Sequence, residues 1–329
     1  LENVKHFPVL LNEVISIISP LYGGTFIDCT FGEGGYSKKI LENKNNKILA
    51  IDRDKNCLKT IDEFKKKYQG RFEFENKKFS QILNIEKKIN ILKGIIFDLG
   101  YSTSQIKDPN KGLSFNSKGK LNMRMGFNSI SANDIVNKLE QRELSRIFKI
   151  FGEESQSNII SKKIISLRKK KIIQSEDLVN IINSTKKKKF SKIHNATKVF
   201  QSLRIIVNNE ISELIYGLIN SFKILPMGGI IVVVSFHSIE DKIVKFFFKN
   251  YSEFKNDSRY LPSKKENKKL FDLIKKKSIT PQKQEIKINP ASRSAKLRYG
   301  IKLNHHNDFS QFIEKFSYLL EVENLSKKI

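Results

Sequence analysis

The first hundred residues switch repeatedly between two hydrophobic periods, and a layered α/β fold is the simplest architecture that absorbs such a switch. Thr25 to Phe31 reads as a buried strand that runs into Gly32-Glu-Gly-Gly35, and a helical segment follows to about Glu42. Lys47 to Asp52 is a second strand, and Asp54 to Tyr68 is a helix with Leu58, Ile61 and Phe64 on one face. Phe72 to Phe79 and Gly94 to Asp98 read as third and fourth strands. Strands alternating with helices imply right-handed βαβ units and a parallel sheet.

That rhythm stops after the fourth strand. Lys107 to Lys120 is a turn-rich loop, and Asn133 to His194 is helical in pattern with no convincing strand. Within it Lys186 to Lys189 is a run of lysines, which is either a solvated loop or a direct RNA contact. One long amphipathic helix is expected through Phe200, Leu203, Val207, Ile211, Leu214, Leu218 and Phe222. The sheet rhythm returns at Gly228 to Phe236, a fifth buried strand. Lys255 to Lys283 reads as a lysine-rich mobile loop, and Glu285 to Ile288 with Ala295 to Lys302 as a closing antiparallel strand pair. The expected organisation is therefore one α/β domain made of residues 1–106 and 206–329, interrupted by a helical insertion at 107–205.

Composition narrows the partners. With 61 Lys plus Arg against 34 Asp plus Glu, the net charge is +27, far beyond what solubility needs. A polyanionic partner, nucleic acid first, accounts for it; the Lys-, Ile- and Asn-rich bias of an AT-rich genome is the alternative. The 329 residues suffice for about two domains with real cores. Two cysteines, Cys29 and Cys57, make neither a disulfide framework nor a zinc cluster, so no metal and a cytoplasmic location are expected. The opening residues carry Glu2 and do not read as a signal peptide, and the apolar run at Gly228 to Phe236 is far short of the ~20 residues that cross a bilayer.

The glycine loop carries the first half of a site. Asp28 lies near the end of the first strand, Gly32, Gly34 and Gly35 follow, and Asp52 ends the second strand 20 residues beyond Gly32. Glycines allow positive φ and close approach of a ligand, and a carboxylate at Asp52 suits both hydroxyls of a ribose. The register is G-x-G-G followed by Tyr36, without the third glycine of a dinucleotide fingerprint. Asp28 suits an ammonium group and would repel phosphates, so S-adenosylmethionine is favoured over a nicotinamide dinucleotide.

Asp98 and its neighbours form the second half, because strand four ends at the same edge of the sheet. An exocyclic amine is a poor nucleophile; a carboxylate that accepts its N–H orients the nitrogen and helps localise the lone pair, while alignment does most of the remaining work. Asp98 is the candidate for that role, or else a cofactor-binding residue. Ser235 and His237 end strand five beside it. His237 either relays the released proton or contacts phosphate, or is a structural histidine near a helix N-cap at Ser238.

The chain resembles the ribosomal RNA small subunit methyltransferase H family (MraW type). The resemblance is carried by His6-Phe-Pro-Val-Leu-Leu-Asn-Glu13, Asp28 to Gly35, Ala50-Ile-Asp-Arg-Asp54 and Asp98-Leu-Gly-Tyr-Ser-Thr-Ser-Gln105. Gly112 to Phe115, Leu121 to Met125, Phe200 to Asn208, Ser235 to Asp241 and Asn289 to Arg298 complete it, so it spans nearly the whole chain. It implies a Rossmann-like class I S-adenosylmethionine-dependent methyltransferase sheet with an inserted α-helical domain that meets the RNA. The implied activity is methylation of a cytidine N4 in 16S rRNA, at the decoding centre of the small ribosomal subunit. By motif, Gly34, Gly35 and Tyr36 would line the methionine end, Asp52 would hold the ribose, Phe79 would pack on adenine, and Asp98 and Gln105 would complete the pocket. The family usually has His at the position of Tyr36 and a Ser-Ser-Pro-Gln run where this chain has Ser102 to Gln105. A homodimer is implied by the resemblance alone. Arg204, Lys296 and Arg298 are candidate phosphate or base contacts, or else surface charges and ion pairs. Rival readings are a DNA amino-methyltransferase, although the strand-four segment lacks its two prolines, a non-catalytic ribosome-assembly factor, and a dehydrogenase.

Overall fold

The computed structural model describes residues 8–54, 57–88, 91–102, 105–106, 108–115, 120–186, 194–253 and 269–329. His6, Phe7, Thr103, Ser104, the lysine run beyond Lys186, and residues 254–268 of the lysine-rich stretch lie outside them. The chain divides into two compact units, Leu1–Gly100 with Glu213–Ile313, and Tyr101–Ser212 with Glu314–Ile329.

In chain order the strands are β1 (Gly24–Asp28), β2 (Asn46–Ile51), β3 (Phe72–Glu75), β4 (Leu92–Asp98), β5 (Ile230–Ser235), β6 (Phe271–Asp272) and β7 (Lys296–Lys302). The helices are α1 (Leu11–Ile18), α2 (Gly35–Ile40), α3 (Leu58–Lys67), α4 (Ala132–Lys138), α5 (Gln141–Phe151), α6 (Ser157–Arg168), α7 (Ser175–Thr185), α8 (Thr197–Asn208), α9 (Glu210–Ile224), α10 (Ser238–Asn250), α11 (Lys283–Ile288), α12 (Ser310–Lys315) and α13 (Ser317–Glu323).

In the first unit the strands form one sheet in the order β3-β2-β1-β4-β5-β7-β6. β1 to β5 pair in parallel, and β7 runs antiparallel to β5 and β6. This is the expected α/β class, a Rossmann-like parallel sheet closed by an antiparallel strand. Every residue of β5 is buried, which is why its sequence is a continuous Ile-Ile-Val-Val-Val run rather than an alternating one. The order reverses direction between β1 and β4, and the crevice at the carboxyl ends of these strands is where such sheets bind ligands.

Two expectations fail locally. Glu285 to Ile288 alternates like a half-buried strand, yet it lies in helix α11, none of whose residues is buried. Alternation without burial rewards no strand, so local geometry prevails, and Glu285 instead accepts the Leu10 N–H at 2.8 Å. The partners of β7 are β5, β6 and the bridge at Ile279.

The single long helix from Phe200 to Phe222 is in fact two, α8 and α9, broken at Asn209 in the left-handed region (φ 51°). Asn is tolerated there, and a helix commonly ends on such a residue. Asn208 fastens the break: its Nδ2 donates to the carbonyls of Met123 (2.8 Å) and Arg204 (3.0 Å), and its Oδ1 accepts from Met125 N at 2.9 Å. The apolar spacing continues through the break because both sides remain buried, so periodicity could not reveal it.

Glu323 caps the restart, accepting from Ile211 N at 2.8 Å and Ser212 N at 3.0 Å. Burial pushes its carboxyl up to about 7, outweighing those hydrogen bonds. The native chain therefore holds this proton more tightly than the unfolded chain, and Glu323 makes stability fall as pH rises from about 4.5 to about 7. Glu323→Gln should remove that slope. The variant-minus-wild-type unfolding free energy should shift by up to about 3 kcal/mol in the variant's favour between those limits, as read by urea titrations across pH.

Candidate active site

The site is built where β2, β1 and β4 end side by side. Asp28, the last residue of β1, pairs across with Ala50 on one side and Ile96 on the other. Asp52 and Asp98 therefore each stand two residues, about 6.6 Å, beyond the row that holds Asp28. The loop after β1 bridges the two neighbours: Cys29 N donates to Ile96 O at 2.9 Å and Phe31 N to Ile51 O at 3.1 Å.

Each acid has a different state. Asp28 is fully buried, accepting the Ser37 hydroxyl at 2.7 Å and Thr30 N at 3.3 Å, and burial pushes it up to about 6. Its carboxylate thus ties the glycine loop to α2, where the sequence suggested an ammonium partner. Asp52 accepts Gly32 N through Oδ2 and Asp54 N through Oδ1, both at 2.8 Å. Burial raises it, and the two backbone donors pull it back. Asp98 differs: its backbone N donates to Thr30 Oγ1 at 2.7 Å, while its side-chain Oδ1 is buried with no hydrogen-bond partner among the described residues. Burial, then repulsion from Asp28 and Glu240, hold its carboxyl well above the usual range.

The glycines serve a purpose the sequence did not reveal. Gly34 has φ +73°, and a Cβ there would fall 2.7 Å from Phe64 and 2.8 Å from Phe31. A Cβ on Gly35 would lie 2.0 Å from Pro8 Cγ. Both are therefore required by packing of the loop against the core rather than by ligand approach alone. Gly35→Ala is expected to cost about 2–3 kcal/mol through overpacking, measurable as a lower thermal midpoint.

Tyr36 buries its ring, and its hydroxyl donates to the Val9 carbonyl, so only its backbone remains for a ligand. Phe79 begins the 3₁₀ segment after β3 and meets Phe97 edge-on at 5.3 Å. A Cβ at Gly217 would sit 2.6 Å from the Phe79 ring, so glycine there makes room for it. Gln105 belongs to the second unit, where its Oε1 accepts Ser102 N at 3.1 Å.

His237 is the N-cap of α10. Its Nδ1 accepts Glu240 N at 3.4 Å, and Glu240 Oε2 accepts Phe236 N at 2.8 Å and His237 N at 3.2 Å. The cap is thus His237 itself rather than Ser238. Ser235 is buried and donates to Lys296 O at 3.2 Å.

The candidate RNA contacts are held by acids. Arg204 grips Glu210 through two hydrogen bonds, at 3.1 and 3.0 Å, and stacks 4.4 Å over the Tyr101 ring. Lys296 and Arg298 share Asp241, at 2.9 and 2.7 Å. Two residues of the site escaped the sequence reading. Thr30 receives the Asp98 N–H, and Glu240 adds to the negative field on Asp98. The His-x-x-Glu spacing of a capping box was the available signal for Glu240.

Buried acids that repel one another are relieved by a cation placed among them. An unpartnered acceptor at Asp98 together with a carboxylate at the end of β2 fits a positively charged nucleoside such as S-adenosylmethionine. No helix among the described residues is long and apolar enough to cross a membrane.

The ribosomal RNA small subunit methyltransferase H of Rickettsia bellii (strain OSU 85-389) is 41% identical over 305 residues, covering 91% of this chain and 99% of the relative. That of Orientia tsutsugamushi (strain Ikeda) is 40% identical over 313 residues, covering 92% and 99%. Among solved structures, a putative rRNA methylase from Clostridium thermocellum aligns at TM-score 0.41 and 13% identity, over 92% of this chain and 99% of that one. The profile of the MraW methylase family matches residues 3–303, and the chain belongs to that family.

Proposed function

We propose that the protein transfers a methyl group from S-adenosylmethionine to the N4 amine of a cytidine in 16S rRNA, at the decoding centre of the small ribosomal subunit. Family membership and the names of the relatives support rRNA of the small subunit as substrate. The observation that carries the amine chemistry is the buried, unpartnered Oδ1 of Asp98. When bound, the cofactor supplies an electrophilic methyl group on a sulfonium.

The chain's own residues do the rest. Asp52 holds the ribose from the end of β2, Phe79 offers its ring to the adenine, and Gly34, Gly35 and Tyr36 present backbone toward the methionine end. Asp98 Oδ1 accepts an N–H of the target amine, which fixes the nitrogen's approach and localises its lone pair. As the N–C bond forms, the nitrogen becomes acidic, and a carboxylate whose proton affinity burial has raised is well matched to take the proton at that atom. His237 is committed to its helix cap, so Asp98 is the better proton acceptor. The cytidine must leave its stack to reach the crevice. Methyl transfer from tritiated S-adenosylmethionine to assembled small subunits, followed by nucleoside mass spectrometry, should give N4-methylcytidine. Label on another nucleoside, or none, would contradict the proposal.

A further inference from the structure

The second unit carries a groove that the methyl-transfer chemistry does not use. It has a volume of about 690 Å³, and Arg142, Ser145, Arg146 and Lys149 of α5 line it together with Gln141 and Asn158. Arg142, Arg146 and Lys149 recur at i, i+4 and i+7, so they stand in one row. Arg146 lies about 6 Å and Lys149 about 10 Å along the axis from Arg142. All three are exposed.

The anions nearby compete weakly. Arg146 meets Glu321 at 2.9 Å, but those side chains are 43% and 65% exposed, and such a pair is worth little. Glu140, at the groove margin, is the N-cap of the same helix, and its backbone N–H donates to Glu143 Oε2 at 3.0 Å. Among the described residues neither Arg142 nor Lys149 is in an ion pair.

Neutral hydrogen-bonding groups fill the space between the charges. Gln141 donates to Asn158 Oδ1 at 3.2 Å and Ser145 to Ser157 Oγ at 3.3 Å. Ile150 is the one apolar lining residue. A lipid surface needs an apolar face, which is absent from this lining. Cations in register with amides and hydroxyls suit a strand that alternates phosphate with ribose. We propose that this groove seats the sugar-phosphate backbone of the RNA substrate. This rests on the rRNA reading given above and adds where on the helical unit the strand is held.

The test compares Arg142→Glu/Lys149→Glu with Lys65→Glu/Lys66→Glu, an equal charge change on exposed lysines of α3. Binding to small-subunit rRNA is followed from 50 to 300 mM salt, and kcat and KM for methyl transfer are measured on the same proteins. The groove pair should raise KM at least tenfold with kcat unchanged. It should also flatten the log–log salt dependence by about 1.5, as expected for two lost phosphate contacts. The α3 pair should change KM less than twofold. Equal losses in both pairs, or an unchanged salt slope in the groove pair, would overturn the inference, as would displacement of the RNA by polyglutamate at equal ionic strength. If the charge reversal unfolds the protein, Arg142→Gln/Lys149→Gln is read instead, against the same salt-slope criterion. Failure of the wild type to methylate rRNA would strike the parent reading and is visible before any variant is compared.

Discussion

Asp98→Asn should lower kcat about 100-fold or more while leaving the fold at least as stable as the wild type. The two halves of this result come from one feature. Oδ1 is buried without a partner, so the ionised carboxylate costs the native state free energy that an amide of the same shape does not. The sign follows from the raised proton affinity. The folded chain binds this proton more tightly than the unfolded chain, so stability falls as pH rises from the ordinary aspartate range through the displaced one. Methyl transfer as proposed needs the opposite state, the carboxylate that accepts from the amine. Its rate should therefore decline on acidification while still above the ordinary aspartate range near ~4. Single-turnover rates across pH and urea titrations measure both effects. The acid limb should vanish in the variant, leaving a low, flat profile. A normal rate with Asp98→Asn would remove this residue from the chemistry.

Asp52→Ala should damage binding and stability together. Its carboxylate joins the glycine loop to β2 through Gly32 N and to its own turn through Asp54 N. Two backbone donors lose a charged acceptor, and at roughly 1.5 kcal/mol each the expected loss is about 3 kcal/mol. The same oxygens are proposed to hold the ribose, so the affinity for S-adenosylhomocysteine should fall at least 100-fold by calorimetry. A destabilised variant that binds the nucleoside normally would confine Asp52 to a structural role. The contrast with Asp98 is diagnostic, because the carboxylate of Asp52 holds the loop while Asp98 meets it only through its backbone N–H.

The sheet was legible because its strands are apolar runs bounded by glycine, aspartate and lysine, and because β5 is too uniformly hydrophobic to sit at an edge. The acids were legible as well, since Asp28, Asp52 and Asp98 each stand at or just past the end of such a run. Their division of labour was not. Which carboxylate is satisfied depends on the Ser37 hydroxyl and the Gly32 and Thr30 N–H groups, whose positions follow from loop conformation rather than spacing. The same limit explains Gly35, where the decisive neighbour, Pro8, lies 27 residues upstream. It explains Arg204 too, whose partner Glu210 is met only because the chain breaks at Asn209. Motif resemblance supplied Phe79 and Gln105, which no local pattern singles out.

The central claim is that the crevice at the ends of β1, β2 and β4 seats the methyl donor beside the unpartnered oxygen of Asp98. A crystal structure with S-adenosylhomocysteine tests it most directly. The account predicts the ribose on Asp52 and the sulfur facing Asp98 Oδ1; a nucleoside lodged elsewhere, or an Asp98 carboxylate turned away from it, would contradict the account.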